Sequence, residues 1–422
     1  MNRNLNEQSK ISRKRWVALL LALPLTACGG QTGAPAGSVP AGQSPVQTPD
    51  NGVNLDEEPV DEQEKEESKP EAEADNEAAD PKPVQSVSSP TKDRLTANLT
   101  GQTETIADNL DTPWEIQFDG STIYMPLRGG SIMKVQGGER IEQSITMNAK
   151  ILEEGEGGLL GMALAPDFAK SRQAYVYHTY EQGDQIRNRV IRIQENSDGT
   201  LWSETAMLLE HIPGARVHDG GRIAFGKDGM LYVTTGDAQQ DSLAQDPSSL
   251  AGKILRMTPE GKVPEDNPIP DSYVYSYGHR NSQGIDWTAD GTLYASEHGP
   301  SGDPGGHDEM NQIQAGGNYG WPTVMGDENQ DGLIPPLYHT GEEAIAPSGI
   351  AATPEGTLLV ANLAGQSLME FDPQTKQMKT VIEGLGRIRD VAVHEGQIYI
   401  VTNNTDGRGS PSAGDDRLLR LK

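Results

Sequence analysis

Arg222-Ile-Ala-Phe-Gly-Lys-Asp-Gly-Met-Leu-Tyr-Val-Thr234 holds the pattern on which the fold prediction rests. Two short apolar runs flank a glycine-rich turn that contains Asp228. Such an arrangement is typical of a β-hairpin, because glycine and aspartate favour tight turns while β-branched and aromatic residues favour strands. The sequence therefore predicts one antiparallel strand pair here.

The same pattern recurs five more times along the chain. The copies occupy residues 114–118 with 123–125, 160–164 with 174–177, 284–287 with 292–295, 348–351 with 357–361, and 390–393 with 397–401. Repeats of this size, each with one hairpin and loops of variable length, are typical of propeller blades. No long segment has helical periodicity. We therefore predict an all-β, six-bladed β-propeller over residues 93–422; a β-sandwich or two smaller β-domains would explain the recurrence less well.

The N-terminus has the features of a bacterial export signal. Arg13, Lys14 and Arg15 precede an apolar run at residues 16–25 that is too short to span a bilayer comfortably. The following Thr-Ala-Cys28 resembles a lipobox. We therefore predict a signal peptide at residues 1–27 and lipidation of Cys28, which would anchor an exported lipoprotein to a membrane. An ordinary signal with a chance cysteine is the alternative.

Residues 28–92 are predicted to form a disordered, acidic linker. Residues 50–82 carry 14 Asp or Glu and 3 Lys, with few large apolar residues. Such a segment buries too little apolar surface to offset chain entropy. A solvated tether is favoured over a partner-binding segment. The whole chain has a net charge of −28, which argues against a nucleic acid partner and is compatible with neutral sugars.

Chemically reactive side chains recur just before the first strand of several repeats. They are Glu156, His218, Arg280 with Asn281, and Arg387 with Arg389. In a propeller, the first strands line one channel and the segments entering them open at one face. We therefore expect these residues to converge on one site, although they are distant in sequence.

Each of these side chains has a functional and a structural interpretation. His218 is a candidate general base, with Asp237 at the far end of the same hairpin orienting it; an inert loop histidine is the alternative. Arg280 with Asn281 could face developing negative charge or could be surface groups. Arg387 and Arg389 indicate an anionic ligand, and salt bridges to surface carboxylates are the alternative.

A glycine- and proline-rich loop at residues 296–309 could bind calcium. Asp303, Asp308 and Glu309, with the carbonyls around Gly299 and Pro300, are oxygen ligands of the type calcium prefers. His298 and His307 also allow a zinc interpretation, without supporting spacing, and a flexible loop is the third possibility. The Asp-Glu-Asn-Gln-Asp-Gly run at residues 327–332 is a weaker calcium-loop signal, because Tyr338 stands where a bidentate Glu is expected.

Taken together and in order, the motifs resemble the PQQ-dependent glucose/sorbosone dehydrogenase family, particularly its bacterial aldose sugar dehydrogenases. The resemblance covers residues 110–422. Its motifs include Gly155-Glu-Gly-Gly-Leu-Leu-Gly161, His218-Asp-Gly-Gly221, Thr234-Thr-Gly-Asp237, Gly278-His-Arg-Asn-Ser-Gln-Gly284, Ser296-Glu-His-Gly-Pro300, Gly317-Asn-Tyr-Gly-Trp-Pro322 and Arg387-Ile-Arg-Asp390.

This resemblance implies oxidation of an aldose at its anomeric hydroxyl, with pyrroloquinoline quinone (PQQ) and calcium as cofactors and an external electron acceptor. His218 would be the base, Asp237 would orient it, and Arg280 would stabilise charge on the cofactor. The resemblance also assigns cofactor binding to Glu156, Arg280, Asn281, Arg387 and Arg389. Carbonyls of Gly299 and Pro300 would hold the calcium at the quinone, while Glu309 and Tyr319 would hold a second, structural calcium.

Two positions depart from the family pattern. Glu156 replaces a glutamine, and a carboxylate near an anionic cofactor is repulsive unless it is protonated or paired. Ala364 stands where relatives often place a cofactor-binding lysine. Two other functions fit a propeller: a calcium-dependent lactonase-type hydrolase, and a non-catalytic sugar- or protein-binding module.

Overall fold

The computed structural model describes residues 94–302 and 305–422. Helix is scarce in this part of the chain: two 3-10 turns, Leu95–Asn98 and Asp241–Ala244, and one short α-helix, α1, Phe168–Ser171. Across the same residues, no helix has the length and apolarity needed to cross a membrane. The predicted signal peptide, Cys28 and the acidic linker lie outside the described residues.

Strands make up the rest of the regular structure. In chain order they are β1 (Thr103–Ala107), β2 (Gln117–Asp119), β3 (Thr122–Leu127), β4 (Ser131–Gln136), β5 (Glu139–Thr146), β6 (Leu159–Leu164), β7 (Gln173–Gln182), β8 (Gln185–Glu195), β9 (Leu201–Pro213), β10 (Ile223–Phe225), β11 (Leu231–Thr235), β12 (Lys253–Met257), β13 (Val274–Tyr277), β14 (Ser282–Trp287), β15 (Leu293–Glu297), β16 (Glu309–Ile313), β17 (Tyr338–His339), β18 (Pro347–Ala352), β19 (Leu358–Asn362), β20 (Ser367–Asp372), β21 (Gln377–Glu383), β22 (Ile388–His394), β23 (Gln397–Thr402) and β24 (Leu418–Leu421).

The strands form antiparallel meanders of four. Three sheets have the orders β10-β11-β12-β13, β14-β15-β16-β17 and β18-β19-β20-β21. An eight-stranded sheet contains two such meanders, β2 to β5 and β6 to β9, joined by a parallel pairing of β5 with β9. In the last sheet, the N-terminal β1 pairs with β24 beside β23 and β22. The two ends of the described chain therefore complete one sheet together.

Several strands are buried along their whole length rather than on alternate residues. All residues of β11, β12, β15 and β19 are buried. A strand that is covered on both faces reads as a continuous apolar run, and sheets that stack face to face provide this cover. The apolar runs of the repeats thus reflect packing between successive sheets.

In the described part of the chain, six apolar clusters lie between neighbouring four-strand meanders. One typical cluster joins Leu160 and Tyr177 to Val233 and Leu255. One cluster joins the two meanders of the eight-stranded sheet, and three others join the later pairs of neighbouring meanders along the chain. The remaining cluster packs Val401 and residues of the last sheet against the β2–β5 meander. The core therefore connects the meanders in a closed cycle.

Buried carboxylates tie the first strands of neighbouring meanders together. Glu115 accepts a hydrogen bond from the Met162 N–H at 2.7 Å. Asp390 accepts one from the Ile116 N–H at 2.8 Å, which links the last meander to the first. All six predicted hairpins are present as antiparallel pairs. The all-β prediction is confirmed, and the sheets fit a β-propeller.

Candidate functional site

His218 and Asp237 form a hydrogen-bonded pair at the two ends of the β10–β11 hairpin. The Nδ1 atom of His218 lies 2.8 Å from Oδ1 of Asp237, whose side chain is fully buried. The pair requires close backbone approach, since a Cβ atom on Gly236 would lie 1.9 Å from the carbonyl oxygen of His218. A carboxylate can only accept, so Nδ1 of His218 is the donor in this hydrogen bond, and in a neutral ring the lone pair is then on Nε2.

Asp237 is itself held by two further donors. Trp321 Nε1 donates to Oδ2 at 2.9 Å, and the Gln239 N–H donates to Oδ1 at 2.9 Å. The carboxylate is therefore locked in the orientation that fixes the His218 ring. This arrangement can present a lone pair on Nε2 for proton abstraction.

Arg280 and Asn281 come from the segment that enters β14. The Arg280 guanidinium lies 5.3 Å from the centre of the Trp321 ring, and its Nη1 donates to the His298 carbonyl at 3.2 Å. Burial lowers the pKa of Arg280 from its usual value, although Asp237 nearby opposes the shift. Asn281 Oδ1 accepts the Gly220 N–H at 3.0 Å. Both residues thus adjoin the His218–Asp237 pair.

Glu156 lies on the other side of His218. Its Oε2 accepts the His218 backbone N–H at 3.1 Å, and its Oε1 accepts from Arg408 Nη1 at 2.7 Å. Burial opposes ionisation, but the charges of His298 and Arg408 and the two hydrogen bonds outweigh it and lower the pKa of Glu156 to about 2. Glu156 is therefore a paired carboxylate.

Arg387 and Arg389 have different surroundings. Arg387 donates through Nη2 to Asp406 at 3.0 Å, so a carboxylate already neutralises it. Arg389 donates only to neutral acceptors: Asn403 Oδ1 at 2.6 Å, Gln283 Oε1 at 2.8 Å and Ser348 Oγ at 3.3 Å. Burial lowers the pKa of Arg389 to about 9. Arg389 is thus a buried cation without a carboxylate partner among the described residues.

The candidate metal ligands share one pocket with Arg280. Its lining includes Gly299, Pro300, Glu309, Tyr319 and Trp321. Two acidic residues face each other across this part of the sheet, because Glu297 on β15 pairs with Glu309 on β16. Burial and the charge of Glu297 raise the pKa of Glu309 to about 8. A bound cation would relieve this repulsion, so these residues fit a metal ion.

Asp308 organises this loop through backbone contacts. Its carboxylate accepts N–H groups of Gly299 at 2.8 Å, Ile345 at 2.6 Å and Ala346 at 2.7 Å. Asp303 lies outside the described residues. His307, one of the two histidines considered as zinc ligands, stacks on His339. Within residues 94–302 and 305–422, no group of three or more His, Cys, Asp or Glu side chains is placed to hold a metal.

Four buried polar atoms at this site have no hydrogen-bond partner in the described structure. They are Arg280 Nε, Asn281 Nδ2, His298 Nε2 and His307 Nδ1. Buried polar atoms are almost always satisfied, so such a group indicates a polar ligand. Together with the uncompensated charge of Arg389, they fit an anionic, oxygen-rich cofactor.

A chain of contacts brings most of the predicted residues together. Glu156 contacts His218, which contacts Asp237. The Asp237 N–H donates to the Arg280 carbonyl at 2.8 Å, and Asn281 forms a β-bridge with Gly236. Sequence reasoning gave no role to Trp321, Asp406 or Arg408. Trp321 stood within a quoted motif, whereas Asp406 and Arg408 sit in a polar loop whose composition gave no functional signal.

The chain is similar in sequence and in structure to several proteins named aldose sugar dehydrogenases. The chain is 30% identical over 349 residues to aldose sugar dehydrogenase YliI of Escherichia coli. The aligned region covers 74% of this chain and 92% of that protein. A PQQ-bound aldose sugar dehydrogenase of Streptomyces coelicolor is 36% identical, with a TM-score of 0.70 over 77% of this chain and 99% of its own. The apo form of the soluble Escherichia coli aldose sugar dehydrogenase is 28% identical, with a TM-score of 0.67 over 76% and 99%.

The fold and the site, taken with these relatives, define an all-β oxidoreductase. The chain belongs to the glucose/sorbosone dehydrogenase family, whose model matches residues 110–420. The family resemblance predicted from the motifs is confirmed.

Proposed function

We propose that this protein oxidises aldose sugars to lactones at the anomeric hydroxyl, with PQQ as the cofactor. The observation that carries the proposal is the His218–Asp237 pair, at 2.8 Å, beside the buried guanidinium of Arg280. A base next to a fixed cation matches the removal of a proton from a hydroxyl oxygen and of a hydride from the carbon that carries it. The names of the related dehydrogenases support the same reaction.

The propeller is proposed to have six blades, each a meander of four strands. Six apolar clusters that connect the meanders in a cycle support this count. So does the pairing of β1 with β24, which would close the ring.

His218 is proposed to act as the general base. Its Nε2 would take the proton of the anomeric hydroxyl, while Asp237 stabilises the resulting imidazolium. Bound PQQ would supply a two-electron acceptor for the hydride that leaves the anomeric carbon. Arg280 would place a positive charge where negative charge then develops. An external electron acceptor would return the enzyme to its starting state.

The cofactors would be held by separate groups of residues. Arg389 would pair with a cofactor carboxylate, with Arg387, Asn281 and Glu156 nearby. The carbonyls of Gly299 and Pro300 would hold the calcium that acts as a Lewis acid. Glu309 and Tyr319 would hold the second calcium, which stabilises the loop.

The mature protein is proposed to be an exported lipoprotein, anchored to a bacterial membrane through Cys28. The lipobox-like sequence and the acidic tether support this placement. Labelling with radioactive palmitate in a bacterial host tests it: the wild type should be labelled and Cys28→Ser should not. Equal labelling of both would exclude lipidation at Cys28.

Reconstitution tests the proposed activity. The purified protein is incubated with PQQ and calcium, desalted, and assayed for dye-linked oxidation of a panel of aldoses. We expect retained cofactor absorbance and turnover with at least one sugar. No turnover with any sugar and no retained cofactor would refute the proposal, and hydrolysis of lactones instead would identify a lactonase.

A further inference from the structure

A salt-linked strap in the β23–β24 loop connects Arg387 with Glu156. We use this name for Asp406 and Arg408. Asp406 accepts from Arg387 Nη2 at 3.0 Å through one oxygen and from the Arg408 N–H at 2.9 Å through the other. Arg408 then reaches Glu156, 252 residues earlier in the chain, at 2.7 Å. The strap thus links Arg387 to the segment that carries His218.

The Arg408–Glu156 pair differs from an ordinary surface salt bridge. The Glu156 side chain is 15% exposed and the Arg408 side chain 46% exposed, so one partner is largely desolvated. Exposed pairs contribute little, whereas removing one partner of a desolvated pair leaves an uncompensated charge. Since Glu156 also accepts the His218 N–H, its carboxylate is both a charge and a structural support.

The position of Glu156 makes this charge important. It lies against His218 and within electrostatic reach of Arg389 and His298. An unpaired carboxylate here would repel an anionic cofactor and weaken the attraction of Arg389 for it. Arg408 offsets that charge from 2.7 Å away.

We propose that Arg408 is a positioning residue that makes Glu156 compatible with an anionic cofactor and holds the His218 segment in place. This inference rests on the proposed PQQ-dependent function and adds a residue of this chain that the sequence motifs did not indicate. Arg408 acts through Glu156, so its contribution should vanish when the carboxylate is replaced by an amide.

A double-mutant cycle tests the proposal. The affinity of the calcium-loaded apoprotein for PQQ is measured directly, with fluorescence as the signal. We expect Arg408→Ala to weaken binding about tenfold, and Arg408→Lys to stay within about threefold of the wild type because it keeps the charge. In the Glu156→Gln background, Arg408→Ala should change binding by less than about twofold. The kcat should fall with Arg408→Ala more than KM rises.

The matched control is Arg216→Ala, which removes an exposed arginine that pairs with Glu154 at 3.2 Å in the same loop region. It should bind PQQ like the wild type. Wild-type affinity in Arg408→Ala, or an equal loss whether or not the Glu156→Gln substitution is present, would overturn the positioning role alone. Failure of the wild type itself to bind PQQ would instead refute the proposed function. If Arg408→Ala does not fold, Arg408→Gln provides the same comparison.

Discussion

At the scale of single residues, His218 shows why placement decides chemistry. The chain has eight histidines, and they differ in their surroundings. His279, for example, is fully buried: its Nδ1 donates to Glu297, and its Nε2 shares a hydrogen bond with the Ser276 hydroxyl. His218 has one ring nitrogen held by Asp237, and its side chain stays 16% exposed. A largely buried imidazole that has one fixed nitrogen and remains partly accessible can exchange a proton with a substrate.

His218→Ala should abolish sugar oxidation while PQQ remains bound, because the base is lost and the cationic groups stay. We expect turnover to fall by about 10³-fold or more. Steady-state kinetics and cofactor absorbance after desalting are the measurements. His211→Ala, which alters an exposed histidine in the preceding strand, is the control. Near-normal turnover of His218→Ala would contradict the assigned role.

Arg389→Gln should weaken PQQ binding more than Arg387→Gln. Arg389 has no carboxylate partner among the described residues, whereas Asp406 neutralises Arg387 at 3.0 Å. We expect about a 30-fold loss for Arg389→Gln and a loss of less than about fivefold for Arg387→Gln. Equilibrium binding to the apoprotein measures both. The reverse order would show that Arg387 exchanges Asp406 for the cofactor.

At the scale of secondary-structure elements, the β7–β8 hairpin contains a hydrogen bond that depends on the protonation state of a histidine. His178 on β7 accepts a hydrogen bond from Arg189 Nε on β8 at 2.7 Å, which requires a neutral ring. Burial and the charge of Arg189 lower the pKa of His178 to about 4, from an ordinary value of 6.5. Between these two values the unfolded chain binds a proton that the folded protein does not.

The free energy of unfolding should therefore fall as the pH drops from 6.5 towards 4. The contribution of His178 is fully present above pH 6.5 and is lost by about 1.4 kcal/mol per pH unit, or roughly 3 kcal/mol in total. Urea unfolding at several pH values measures it. His178→Gln, whose amide oxygen can accept from Arg189, should flatten this part of the profile, while His211→Gln should not. An unchanged slope in His178→Gln would refute the assignment.

Gly236, next to Asp237, packs against the backbone of His218 and has no room for a side chain. Because a Cβ on Gly236 would lie 1.9 Å from the His218 carbonyl oxygen, Gly236→Ala should cost about 2–4 kcal/mol of stability and most of the activity. Thermal unfolding and turnover are the measurements. Gly129→Ala is the control, since its nearest neighbour would be a flexible Glu153 oxygen at 3.4 Å. Wild-type stability of Gly236→Ala would show that the turn can adjust.

At the scale of the whole molecule, the last sheet is completed by β1, which is far in sequence from the other strands of that sheet. β1 pairs with β24, Ala107 joins a core cluster, and Arg420 forms an ion pair with Glu104 at 2.5 Å. Without β1, the last sheet would expose an edge and lose part of its core.

Removal of residues 1–107 should therefore lower the Tm by roughly 5–10 °C or more. Removal of residues 1–93 should leave Tm and turnover near those of the full chain. Differential scanning calorimetry and limited proteolysis distinguish the two truncations. Equal Tm values for both proteins would mean that β1 does not contribute to closure, and a loss of Tm in the shorter truncation would contradict the predicted linker.

Much of the fold was predictable because its signals are local. Each hairpin is encoded by two short apolar runs and a turn such as the one at Asp228, so adjacent residues specify it. The candidate site residues were selected by type and by their place before first strands. The continuous burial of β11 and β19 was less predictable, because it comes from neighbouring sheets rather than from the strands themselves.

The sequence alone therefore determined the strand pairs, the family and the set of candidate site residues. Only the tertiary structure decided which charges are compensated: Asp406 neutralises Arg387, Arg389 has no carboxylate partner in the described residues, and Arg408 neutralises Glu156. The physical reason is that hairpins form between neighbours in sequence. The Arg408–Glu156 pair joins loops that are 252 residues apart in the sequence, and these loops meet only when the last sheet packs against the first.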